Sequence, residues 1–208
     1  MIMPYASRTG TARNLAALRE CGWGLMVSAT GALRTEGFAR YALDNGAWTA
    51  YQRGEQFDEG AFSRALDLLG AGADFVVAPD IVCGGLASLR LSESWLPRLE
   101  RFGRMRLAPV QNGMEPRDVA PLLSASVGIF VGGDTAWKEQ TLPAWGDLAR
   151  ERGCHLHVGR VNTARRIRLC QLAGADSFDG TSVTRFASTI GLLDAARHQK
   201  IINYRGVA

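Results

Sequence analysis

Eight short apolar runs recur along this chain, and most neighbouring pairs are separated by a stretch with helical spacing. The runs are IMPYA (2–6), GLMVSA (24–29), YALDNGAW (41–48), ADFVVAPDI (73–81), MRLAPVQNG (105–113), VGIFVGGD (127–134), HLHVGRVN (155–162) and ADSFDG (175–180). Between them lie TARNLAALREC, with Thr11 as a cap, and FDEGAFSRALDLLGAG, with Asp58 near its start and Gly70 to Gly72 near its stop. SLRLSESWLPRLERFG, PRDVAPLLSA, LPAWGDLARERG and TARRIRLCQLAG follow the same plan, whereas TGALRTEGFAR reads as a loop or a single turn. Strands alternating with helices pair in parallel through right-handed crossovers. Eight such units predict a single compact (β/α)8 TIM barrel over residues 1–208, with an open doubly wound sheet as the alternative.

Composition agrees with one core, since 47% of the 208 residues are hydrophobic. The net charge is +4, and only Lys138 and Lys200 of the 24 basic residues are lysine. Arginine suits phosphate and stacked bases, although a GC-rich genome writes arginine by default. Cys21, Cys83, Cys154 and Cys170 form no CxxC pair and no Cys/His cluster with zinc spacing. No zinc subdomain, metal or other cofactor is therefore expected. A leaderless start and the lack of a long apolar stretch point to a cytoplasmic protein without a membrane partner.

Polar residues sit at the C-terminal ends of the apolar runs. Asp44 and Asn45 follow YAL, Asp80 follows FVVAP, and Gln111 and Asn112 follow LAPV. Gly132, Gly133 and Asp134 follow GIFV, Gly159 and Arg160 follow LHV, and Asp179 follows DSF. In a barrel these ends converge on the face where active sites are built. Carboxylates there can act as nucleophile, general acid or base, or hydrogen-bond acceptor. With Gln111, the open backbone of Gly132-Gly133 and the apolar plate of Trp48, they suit a flat heterocycle such as a purine.

Six segments in order resemble the tRNA-guanine transglycosylase superfamily: Asp44-Asn45-Gly46-Ala47-Trp48, GADFVVAPD, APVQNG, FVGGD, LHVGRVNTARRI and GADSFDGTSVTR. The resemblance implies Asp179 as the nucleophile toward C1′ of a nucleoside and Asp44 as the acid/base. It implies base recognition by Asp80, Gln111, Gly132 and Gly133, with Trp48 and Val158 as the walls of the base site beside Gly159. Arg160, Arg165, Arg166 and Arg185 would then contact nucleic-acid phosphate. The family's zinc-binding segment has no counterpart after Arg185, which resembles the short phage and genomic-island branch that inserts 7-deazaguanine into DNA. The implied partners are therefore a 7-deazaguanine base and a nucleic acid, DNA rather than tRNA, with the oligomeric state open.

Each residue also has a plainer reading. Asp179 can cap the following helix, and Asp44 can belong to a DNG turn. Gln111-Asn112-Gly113 and Gly132-Gly133 can be ordinary turns, Trp48 can be core, His155 and His157 structural, and Arg165, Arg166 and Arg168 a solvated helix face. The other functions carried forward are a tRNA-guanine transglycosylase, a TIM-barrel enzyme acting on a small nucleoside or phosphorylated substrate, and a barrel that binds purine or nucleic acid without chemistry.

Overall fold

A computed structural model describes residues 1–7 and 11–199. Eight parallel strands close into a barrel in sequence order, with β1 paired to β8. They are β1 (Met3–Ser7), β2 (Gly24–Ser28), β3 (Tyr41–Asp44), β4 (Val76–Val77), β5 (Arg106–Val110), β6 (Val127–Val131), β7 (Leu156–Val158) and β8 (Ser177–Gly180). Each overlaps an apolar run expected to form a strand, β1 extending one residue past its run to Ser7. The open doubly wound sheet is excluded, because such a sheet leaves two unpaired edges.

The helices are α1 (Ala12–Glu20), α2 (Ala47–Gln52), α3 (Glu59–Leu69), α4 (Leu86–Trp95), α5 (Pro116–Val119), α6 (Thr135–Arg152), α7 (Ala164–Leu172), α8 (Ser182–Arg185) and α9 (Thr189–His198). Thr11 caps α1 by accepting from the Asn14 N–H, and Asp58 caps α3 by accepting from the Ala61 N–H. The link between β2 and β3 carries no helix. Trp48, read as the end of a strand, lies instead in α2. Gly46 turns the chain there with a left-handed φ of 85°, which favours glycine.

Strand alternation separates two cores. Outward residues such as Leu25, Leu43, Ile129, Leu156 and Phe178 pack against the helices. Inward residues Tyr5, Met26, Ala42, Phe75, Val77 and Leu107 fill the barrel. Glycines make room where inward neighbours are large. A Cβ on Gly24 would sit 2.7 Å from the Tyr5 ring. The inward row also holds polar groups, His157 and Ser177, both fully buried.

Two helix glycines give a test of the shell packing. A Cβ on Gly146 of α6 would drive into the Ala173 carbonyl, whereas one on Gly191 of α9 meets nothing within 4 Å. Gly146→Ala should therefore cost about 1–3 kcal/mol despite the gain in helix propensity. Gly191→Ala should stabilise by up to about 1 kcal/mol. Thermal unfolding of the two variants checks this, and a Gly146→Ala protein as stable as the parent would contradict the packing.

Candidate active site

The C-terminal ends of the strands bring Asp44, Asp80 and Asp179 into one mouth. Asp44 closes β3, Asp80 follows β4, and Asp179 lies within β8. Asp44 accepts the Gly46 N–H at 3.1 Å. Burial, then the charges of Asp179 and Asp80, push its carboxyl up to about 7, against the opposing hydrogen bonds from Gly46 and Ser28. Burial also raises Asp80, to about 6, with the Asn45 amide opposing. Asn45 donates to the Ala78 carbonyl at 2.7 Å and to Asp80 Oδ1 at 2.8 Å, which fixes the Asp80 carboxyl against the end of β4.

Asp179 is only 7% exposed. Its Oδ1 lies 3.1 Å from His157 Nε2, and the Arg160 N–H points at the same oxygen from 3.4 Å. Burial lowers the His157 imidazole, and the hydrogen bond and charge of Asp179 oppose this. A neutral ring facing a carboxylate carries its hydrogen on Nε2 and so orients that carboxylate. His157, read from the sequence as structural, thus touches the mouth directly. The alternation His155, His157 and Ser177, Asp179 on neighbouring strands is the signal that could have found it.

Other expected site residues are placed differently. Val158 faces outward into the helix shell with Leu156, because inward positions on β7 alternate with it, so it is not a wall of the mouth. The Gly132 N–H donates to the Val110 carbonyl at 2.8 Å and is not an open donor. Gly133 is required by its φ of 69° and by the Trp137 ring, which a Cβ would strike. The Gln111 amide donates to the Ile81 carbonyl and to Ser88 Oγ, so it ties the loop after β4 to α4. Gly159 leaves space that a side chain would take from Phe130.

The basic residues divide in the same way. Arg165 and Arg166 both pair with Glu139, at 2.6 and 3.0 Å, which holds them on the outer helices. Arg185 is exposed at the end of α8. Arg160 alone of the four reaches the mouth. Its guanidinium donates to the Gly133 carbonyl and lies 4.3 Å from the centre of the Trp48 ring. Arg160 follows β7 and Trp48 follows β3, on opposite sides of an eight-stranded barrel, so this cation–π contact bridges the rim.

Lys138, in the first turn of α6, is buried and its amine is lowered to about 8 by burial and by Arg160. It donates to the Gly159 carbonyl and lines a crevice with Leu142, Val158 and Cys170, behind the barrel wall. Its amine is committed there to the Gly159 carbonyl. Among the described residues no group of three or more His, Cys, Asp or Glu is placed to hold a metal ion, and no helix is long and apolar enough to cross a membrane.

No family model matches the chain, and no curated protein matches it. Its barrel is similar to that of a tryptophan synthase from M. tuberculosis, at 16% identity and a TM-score of 0.53 over 94% of this chain and 90% of that one. It is similar to tryptophan synthase subunit alpha from Legionella pneumophila, at 11% identity and a TM-score of 0.54 over 94% and 92%. A native KDPGal structure shares 12% identity with a TM-score of 0.53 over 93% of each chain. At these identities the likeness shows the fold. The resemblance to tRNA-guanine transglycosylases is overturned by these findings. With it fall the 7-deazaguanine, DNA-modification, queuosine-like, phage and guanine-transferase readings. The six segments misled for a physical reason: an apolar strand, a polar or glycine end and a helix start recur in every (β/α)8 barrel.

The raised Asp44 carboxyl has a consequence for stability. The folded protein keeps this proton between about pH 4 and pH 7, where the unfolded chain has lost it, so the associated stability disappears as pH rises through about 7. Asp44→Asn should therefore be more stable than the parent at pH 8, with the gain vanishing toward pH 4. Urea unfolding at the two pH values measures this, and a variant equally destabilised at both would contradict the assignment.

Proposed function

We propose that this barrel is an enzyme that performs acid–base chemistry on a small, unphosphorylated substrate of nucleoside size. The observation that carries the reading is the unequal pair Asp44 and Asp179. Asp44 sits among like charges and holds its proton to about pH 7. Asp179 receives the His157 hydrogen bond that favours a carboxylate. A carboxyl that keeps its proton beside one that accepts an imidazole hydrogen bond can divide the work of acid and base. Asp44 gives a proton to the departing atom, and Asp179 takes one from the attacking or eliminated group, as in hydrolytic or eliminative cleavage. Asp80, fixed by Asn45, accepts hydrogen bonds from the substrate edge, and Trp48 offers a planar face at the rim.

Two contacts favour an unphosphorylated substrate. Barrels commonly hold phosphate at the loops after β7 and β8. Here the Thr181 and Ser182 N–H groups donate instead to Asn162 Oδ1, at 2.8 and 3.0 Å. Arg165 and Arg166 are engaged by Glu139. An amine mechanism like that available to a lysine of lowered pKa is disfavoured by the place of Lys138 behind the wall. The four free thiols fit a reducing compartment such as the cytoplasm.

Turnover of a panel of nucleosides and their 5′-monophosphates, followed by chromatography, tests the reading. An unphosphorylated member should turn over, with kcat/KM falling as pH rises past about 7 while Asp44 loses its proton. Asp44→Asn and Asp179→Asn should each reduce the rate by roughly 10²-fold or more. Turnover unaffected by both substitutions would overturn the assignment.

A further inference from the structure

Four polar side chains connect the mouth to the opposite end of the barrel. His155 Nε2 lies 2.7 Å from Ser177 Oγ, and Ser177 Oγ lies 2.8 Å from His157 Nδ1. His157 Nε2 lies 3.1 Å from Asp179 Oδ1. Ser177 and His157 are completely buried, walled by Phe75 and by Phe130, whose ring stacks on His157 at 4.9 Å. His155 ends the row at the N-terminal face. There it lines a cavity of about 450 Å³ with Asp176, Met105 and Gly174, and its side chain is 19% exposed. The row is therefore closed along its length and open to solvent at the end remote from the mouth.

We propose that His155, Ser177 and His157 form a proton relay along the barrel, joining Asp179 in the mouth to the cavity on the N-terminal face. A carboxylate only accepts, so His157 donates from Nε2 and must accept at Nδ1. Ser177 supplies that hydrogen from Oγ and accepts the His155 Nε2–H in turn. Every bond in the row then points toward Asp179. One concerted shift breaks His157 Nε2–H, Ser177 Oγ–H and His155 Nε2–H. It forms Asp179 Oδ1–H, His157 Nδ1–H and Ser177 Oγ–H. His155 Nδ1 takes the replacement proton from water in the cavity. One proton enters, one arrives at Asp179, and neither imidazole ends with a charge. The shift is reversible, so Asp179 can exchange a proton with the cavity while a ligand covers the mouth.

The surroundings favour the neutral form of both rings, which the shift requires. Burial lowers His157, helped by the Lys138 charge and opposed by Asp179. Burial also lowers His155, with His157 and Arg40 acting in the same sense and Asp176 and Asp74 opposing. A purely structural serine between two histidines would need no open end.

The relay deepens the acid–base reading given to Asp179, but its test needs no substrate. Long-range proton–nitrogen spectra of ¹⁵N-histidine-labelled protein report tautomers, and magnetisation transfer from water reports exchange of the His157 Nε2 hydrogen. Both rings should be neutral Nε2–H tautomers at pH 7. Ser177→Ala, and separately His155→Phe at the partly exposed end, should each slow that exchange by about tenfold or more, equivalent to roughly 1.4 kcal/mol of added barrier. An Nδ1–H tautomer at His157, or exchange unchanged in a folded variant of either kind, would overturn the relay. Loss of turnover with an intact relay, or an intact activity without one, would separate this proposal from the function proposed above.

Discussion

The pairing of β8 with both β7 and β1 is the constraint on which the site depends. It sets His157 opposite Ser177 and Tyr5 opposite Asp179. Because side chains alternate along a strand, that register fixes which of them enter the barrel. Slipping β8 by one residue would turn Asp179 and Ser177 out into the helix shell and bring Phe178 in. The same register gives Asp179 its imidazole partner. It also leaves Asp44, across the mouth, facing the Asp179 charge.

Burying polar groups inside such a barrel is expensive unless each finds a partner. The interior meets this requirement by joining its polar groups in sequence. Tyr5 donates to Asp74 at 2.9 Å at the N-terminal end, and His155, Ser177, His157 and Asp179 form a second chain of bonds. Satisfying the partners of one aspartate thus organises a line of side chains through the core. The rim is closed by different physics, where Arg160 on the Trp48 ring draws together loops from opposite strands. A planar ligand that stacks on Trp48 must displace that guanidinium.

Much of this architecture was legible in the sequence, because an apolar run ended by a polar residue is the direct imprint of a strand opening on a barrel mouth. The positions of Asp44, Asp80 and Asp179 followed from that pattern. Partner choice was not legible. Nothing in FVGGD tells that the Gly132 N–H is taken by Val110, nor in TARRIR that Glu139, on another helix, holds both arginines. The outward direction of Val158 was within reach, since His157 and Val158 are adjacent on one strand and cannot both face in. The family resemblance failed for the same reason that the fold succeeded: strand-end patterns report the barrel, and barrels serve many chemistries.

The acid–base reading depends on Asp44 keeping its proton to about pH 7 among the like charges of the mouth. Carbon-13 titration of the aspartate carboxyl carbons tests it without any substrate. One aspartate, assigned to position 44 by its loss in Asp44→Asn, should titrate near pH 7. Its midpoint should fall when Asp179→Asn removes the facing charge. Titration of Asp44 near pH 4 in the unmodified protein would contradict the account.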